Sequence, residues 1–262
     1  MFLSLYPWNL GIGGDYTVGS YSNDRTYRSG KVTMSLDRRN QDVFVAAYEH
    51  LKIDDNFGVY TQDNVLIRGS FWIKPELRLG SIAGIMQSNS IEEGWLIGAQ
   101  IEGDVPWLGY SADYTFMEFQ GWEPLPLYSD ITEYPITQWS LGLSRKIGPA
   151  VLRVIGSTQN TMNHNYFKIA AKSKLAIGYH LAMMLYVESG ESRYSLDPYL
   201  LVLDNNPDIL KRTLGFYMSF RFTPNISLSF EANRKHYSPA FRFEGSSDYD
   251  VTYFVFGFLL RI

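Results

Sequence analysis

The chain has 262 residues, no cysteine, a formal net charge of −4 and 16% aromatic residues, 19 of them tyrosine. The missing cysteines exclude a disulfide framework and thiol chemistry, and the small net charge leaves no electrostatic footprint for nucleic acid. No run of about 18 apolar residues occurs, which excludes transmembrane helices. It does not exclude transmembrane strands, which need an apolar residue only at every second position.

Alternation with period two organises most of the chain. Residues 1–8 lack the basic start, long apolar stretch and small-residue cleavage site of a secretory leader. If the chain is exported, its leader lies upstream and residues 1–8 form an N-terminal periplasmic segment; a cytosolic protein would show the same absence. The first strand is expected over residues 10–20, where Leu10, Ile12, Tyr16 and Val18 alternate with Gly11, Gly13, Asp15 and Thr17. After a polar stretch at 23–30, Val32, Met34 and Leu36 oppose Lys31, Thr33, Ser35 and Asp37. A turn at 38–40 leads into 43–53, where the alternation is blurred. A loop at 54–63 follows, and then Val65, Ile67, Phe71 and Ile73 face away from Arg68, Ser70 and Lys74.

Pro75 ends that strand, since proline cannot continue a central strand. Leu77, Leu79, Ala83 and Ile85 then oppose Arg78, Gly80 and Gly84. Trp95, Ile97, Ala99 and Ile101 oppose Gly98, Gln100 and Glu102. Tyr110, Ala112, Tyr114 and Phe116 oppose Gly109, Ser111, Asp113 and Thr115. A loop at 120–134, rich in proline and aromatics, precedes Trp139, Leu141 and Leu143. Beyond the turn at 146–149, Leu152 and Val154 face away from Arg153, and Phe167, Ile169 and Ala171 face away from Lys168 and Lys172.

A turn near 175–179 introduces Leu181, Met183, Leu185 and Val187. The longest loop, 189–211, contains Asn206-Pro207-Asp208, which predicts a short helix start. Leu214, Phe216, Met218, Phe220 and Phe222 then oppose Gly215, Tyr217, Ser219 and Arg221. Ile226, Leu228, Phe230 and Ala232 oppose Ser227, Ser229, Glu231 and Asn233. After a loop at 238–250, the closing strand sets Phe254, Phe256, Phe258, Leu260 and Ile262 on one face.

About fourteen strands result, with connections alternately short (near 39, 75, 105, 148, 177 and 224) and long. One antiparallel transmembrane β-barrel over residues 1–262, with short periplasmic turns and long extracellular loops, fits this pattern. The competing architecture is a soluble β-sandwich or lipocalin-like barrel, whose apolar rows would point into a core. The Gly-, Ser- and Thr-rich polar face suits an enclosed lumen. Aromatics near strand ends (Tyr16, Trp95, Tyr110, Phe222 and Phe254) suit interfacial girdles.

The stretch LGIGGDYTVGSYSNDRTYRSGKVTMSL (residues 10–36), the YSADYTFMEF segment (110–119) and the hairpin order resemble the YaiO-type outer-membrane proteins. The resemblance spans nearly the whole chain in pattern and spacing. It implies an outer-membrane location and an association with surface polysaccharide export or assembly, and it carries no catalytic motif. The chain closes on Ile262 where such barrels usually close on Phe or Trp.

In the barrel reading, Arg68, Arg78, Glu102, Asp113, Arg153, Tyr217, Arg221 and Glu231 are candidate lumen-lining residues. Opposed carboxylates and guanidinia select a polar solute, and arginine forks hold carboxylates or phosphates while tyrosines stack on sugars. The same charges also fit a purely structural role, neutralising one another across a plugged lumen. Among the histidines only His236, beside Ser238 and near Asp248, stands where a lipid hydrolase could act, and such a trio arises readily by chance.

Acids in the long loops suit a hard cation such as calcium but are more simply solvated. No HExxH, P-loop or CxxC motif occurs. The reading is a non-enzymatic outer-membrane pore or export partner without cofactor or metal. Its partners would be outer-membrane lipid, lipopolysaccharide and the barrel-assembly machinery, with polysaccharide or periplasmic export components. A sealed adaptor barrel and a lipid-modifying enzyme are the alternatives.

Overall fold

The structure is a computed structural model, and it describes residues 8–38, 42–55, 58–74, 76–89, 91–122, 131–161, 164–193, 195–197, 202–204, 208–239 and 247–262. Strands β1 (Asn9–Tyr21), β2 (Thr26–Arg38), β3 (Asp42–Asp55) and β4 (Gly58–Lys74) form the first two hairpins. They are followed by β5 (Leu77–Ser88), β6 (Ile91–Val105), β7 (Leu108–Trp122) and β8 (Ile131–Ile147). Next come β9 (Ala150–Asn160), β10 (Asn165–Ile177), β11 (Leu181–Ser192), and the short pair β12 (Ser195–Asp197) and β13 (Val202–Asp204). The chain finishes with β14 (Ile209–Arg221), β15 (Ile226–Ser238) and β16 (Tyr249–Arg261).

Fourteen of these strands pair antiparallel in a closed barrel, and β12 and β13 form a separate two-stranded sheet. The seam joins the ends of the chain: β1 runs against β16 from Gly11↔Arg261 to Tyr21↔Val251. Two further backbone hydrogen bonds, of 3.1 and 2.7 Å, link Leu10 and Ile262. Closure leaves no unpaired edge, the condition for β-structure in hydrocarbon.

The aromatic row of the last strand points outward. Phe254, Phe256 and Phe258 are 41%, 52% and 53% exposed, and Tyr16, Trp95, Tyr110 and Phe222 share the outer wall. A soluble sandwich or lipocalin-like barrel would bury these rows, so that alternative is excluded.

The start of β1, the end of β16 and the short connections lie at one end, called here the turn end, with Gly148 and Gly178 in left-handed backbone (φ +57° and +60°). The opposite, loop end differs from expectation in one respect. Strands extend into stretches expected as loops: β4 begins at Gly58 inside 54–63, and β7 and β8 reach Trp122 and Ile131 inside 120–134. Backbone pairing satisfies polar groups that a loop would leave to water. The helix start expected at Asn206-Pro207 falls outside the described residues.

A second correction concerns the inner face, which is not uniformly polar. Leu66, Ile82, Met86, Leu96, Met117, Phe119 and Ile136 point inward from β4–β8 and form a buried cluster. Inward glycines act as its sockets. A Cβ on Gly94 would lie 2.7 Å from the Phe119 ring and 2.8 Å from Met86 Cε, and one on Gly98 would lie 2.7 Å from Tyr114 O and 2.9 Å from Ile82 Cγ2.

Backbone cannot yield as a flexible side chain can, so Gly98→Val is expected to lower unfolding free energy by about 1–3 kcal/mol, the usual cost of overpacking. Urea titration of the protein in lipid vesicles reads this. Gly30→Val, where open space surrounds the position, should change it little.

Candidate functional site

The barrel interior is the candidate site, and it is built in levels. On the β4–β9 side near the turn end, Arg78 donates to Ser70 Oγ at 2.6 Å and lies 3.6 Å from Glu102. Across the wall, Arg153 donates to Ser111 Oγ at 2.7 Å. Gly142, between them, leaves room for the guanidinium, since a Cβ there would stand 3.3 Å from Arg153 Nε. Asp113 is buried, pairs in register with Gln100 and Ser140, and is attracted by Arg153 while Asp197 and Glu102 repel it. Arg68 points inward between Val45 and Ile82.

Polar groups also line the facing wall, β10–β16 and β1–β3. Glu231 accepts hydrogen bonds from Tyr186 Oη at 2.7 Å and Asn233 Nδ2 at 2.6 Å. Glu49 accepts from Ser29 at 2.7 Å. Lys168 lies 3.8 Å from Glu188. Tyr217 sits opposite Glu231 and borders a turn-end vestibule of about 490 Å3, together with Asp15, Lys174, Ser219, Arg221 and Arg261. Arg221 stays at the rim, its guanidinium 4.7 Å from the centre of the Tyr179 ring.

The eight candidates therefore divide. Arg78 and Glu102 pair directly, and Arg153 and Asp113 lie close by. Tyr217 and Glu231 share the far wall, where Arg221 borders the same vestibule as Tyr217, while Arg68 belongs to neither group.

Sequence reasoning missed the short β12–β13 sheet. The β12–β13 hairpin folds into the barrel, burying Ser195 and Leu196. Leu196 joins the inward apolar cluster. Gln138 imitates a neighbouring strand: its Nε2 donates to Leu196 O at 2.9 Å and its Oε1 accepts from Leu196 N at 3.3 Å. Gln159 Oε1 accepts from Arg193 N at 2.8 Å. From β10, Lys172 pairs with Asp197 at 3.0 Å and Lys168 reaches Ser195 at 3.4 Å.

These contacts are carried by wall side chains, and the β12–β13 sheet shares no rung with the barrel ladder. Above it, Tyr21, Tyr237, Tyr249, Val251 and Leu210 form a second interior cluster at the loop end, flanked by Tyr27 and Tyr253.

Among the described residues, Ser238 and His236 form no nucleophile–base hydrogen bond. Ser238 Oγ donates to Asp248 Oδ1 at 2.9 Å, while His236 is held by Asp250 at 3.0 Å and lies 3.7 Å from Asp248. A nucleophilic serine must hand its proton to the imidazole, and this one gives it to a carboxylate. Among the described residues, no group of three or more His, Asp or Glu is arranged to hold a metal ion.

No protein-family model and no curated protein matches the chain. Solved structures do match in shape. The CymD monoaromatic hydrocarbon channel has a TM-score of 0.63 at 8% identity, over 98% of this chain and 89% of that one. The Pseudomonas putida toluene transporter TodX gives 0.60 at 8%, over 98% and 91%. The NanC porin gives 0.50 at 10%, over 94% and 98%. At such identities the likeness establishes architecture: the chain has the fold of outer-membrane β-barrels.

Proposed function

We propose that this protein is a non-enzymatic outer-membrane channel for a small, partly apolar solute, with the β12–β13 hairpin as its plug. The observation that carries the reading is Leu196, seated on an inward apolar cluster and held there by side chains of the wall. A barrel meant only as a scaffold has no need of an apolar lining closed by a detachable segment. The lining is two-sided, apolar on β4–β8 and rich in tyrosine and charge opposite, which suits a molecule with one greasy and one polar side.

The vestibule of about 490 Å3 lies within the range of small-molecule sites. The similarity to channels described as carrying hydrocarbons and to a porin supports transport. A place in the YaiO-type family, with passage of a surface polysaccharide, is the second reading. The inward tyrosines Tyr27, Tyr186 and Tyr253 favour it, since sugars stack on such rings.

Proteoliposomes distinguish these readings. Benzoate is expected to enter them faster than empty liposomes, and a long linear oligosaccharide is expected to stay out. Oligosaccharide entry would favour the polysaccharide reading, and rates equal to empty liposomes for every solute would remove transport.

A further inference from the structure

The outer wall carries a chemically distinct sector near the loop end. Along one register row lie Arg234, Thr252, Ser20 and Thr26, and along the next lie Phe254, Val18, Arg28 and Lys52. All alternate with inward residues and therefore face outward. Arg28 and Lys52 are direct cross-strand partners, an arrangement in which like charges destabilise a sheet. Lys52 is paired with Asp54 at 2.8 Å and Arg234 with Asp250 at 2.7 Å. Arg28 is exposed and makes no ion pair or hydrogen bond among the described residues.

Height places this sector at the margin of the apolar belt. Each residue of a strand tilted by about 40° rises about 2.5 Å along the barrel axis. Arg28, ten residues from Arg38 at the turn end of β2, stands about 25 Å up, the height of a membrane barrel's apolar band. Below it the wall is mostly apolar and aromatic, with Phe254, Phe256 and Tyr16 exposed, and is broken by His50 with its partner Asp63. Gly30, two residues below Arg28, sits between Tyr16 and His50 with no atom within 4 Å of where a Cβ would be, which leaves a notch. At the loop end of β6 and β7 the wall instead carries Glu93 and Glu118.

Cations and hydroxyls above a notched apolar wall are complementary to a phosphorylated lipid. We propose that Arg28, Lys52 and Arg234, with the hydroxyls of Ser20, Thr26 and Thr252, bind the phosphates of a lipid in the outer leaflet. Its acyl chains then lie over the notch at Gly30 and the rings of Phe254 and Phe256. The phosphate resolves the repulsion between Arg28 and Lys52. The inference rests on the outer-membrane reading above, and the two fail separately: cell fractionation tests location, whereas lipid binding is measured on the purified barrel.

The test is native mass spectrometry of the protein in micelles titrated with diphosphoryl lipid A, its dephosphorylated form, or inorganic phosphate. Wild type should retain the diphosphoryl lipid and shed the dephosphorylated one. The double variant Arg28→Gln, Lys52→Gln should weaken retention by about fivefold per charge removed. Arg145→Gln, which removes an exposed cation near the turn end, should not weaken it.

Arg28→Lys keeps the charge and should keep the lipid, which separates charge from any effect on folding. Equal retention of the dephosphorylated lipid, undiminished binding by the double variant, or loss of binding in Arg28→Lys as large as in Arg28→Gln would overturn the proposal. So would displacement of the lipid by inorganic phosphate alone, which would make the site one for a free ion.

Discussion

Replacing residues 194–205 with a short glycine-serine linker is expected to convert a mostly closed barrel into one with steady ionic conductance in planar bilayers. The hairpin places Leu196 in the inward apolar cluster with Leu66, Leu96, Met117 and Ile136. Its removal leaves that cluster facing water while every rung of the fourteen-strand ladder stays in place. Conductance unchanged from wild type would show that something other than the hairpin closes the passage.

A milder variant reports on the latch. The Lys172–Asp197 pair has side chains 17% and 27% exposed, between the exposed pairs that contribute up to about 1 kcal/mol and the buried ones whose rupture costs about 3–5 kcal/mol. Lys172→Met should therefore destabilise the closed state by about 1–2 kcal/mol and raise the open population about 5- to 30-fold. Raised salt should act in the same direction, because partly exposed pairs are screened.

The second large effect concerns the outer wall. Leu141 is 69% exposed and lies six residues from Ile147 at the turn end of β8. That places it about 15 Å up, near the middle of the apolar belt. Leu141→Arg is expected to reduce unfolding free energy in lipid vesicles by about 2–4 kcal/mol, the cost of a cation near the midplane. Chemical denaturation of the two proteins in the same vesicles measures it. Val187→Arg, six residues from Leu181 on the far side of the barrel, should behave alike. A shift near zero at both positions would mean that these faces meet water.

The outer wall was legible because its chemistry is periodic. The apolar row from Phe254 to Ile262 announced its own direction, and both candidate architectures could be separated by asking where it pointed. The inner wall was harder. In Val65-Leu66-Ile67 and in Trp95-Leu96-Ile97 the apolar residues occupy both faces at once. A continuous run of that kind marks a strand covered on both sides. Reading only every second residue as informative hid Leu66 and Leu96, and with them the interior cluster.

The hairpin left no comparable signal. Ser195-Leu196-Asp197 and Val202-Leu203-Asp204 are too short for a period to emerge, and their position depends on Gln138, Gln159 and Lys172, which are distant in the chain. The pairing of Arg78 with Glu102 was similarly hidden. It depends on strand register, which alternation alone does not supply.

Pairing of the first strand with the last has a consequence for biogenesis. Gly11 and Arg261 are neighbours in space and almost the whole chain apart in sequence, so the cylinder cannot shut before its final segment has been delivered. Contacts of such separation form slowly, because the entropy of closing the intervening loop must be overcome before the seam returns any stabilisation. Until then the aromatic rows have neither lipid nor partner strand to cover them.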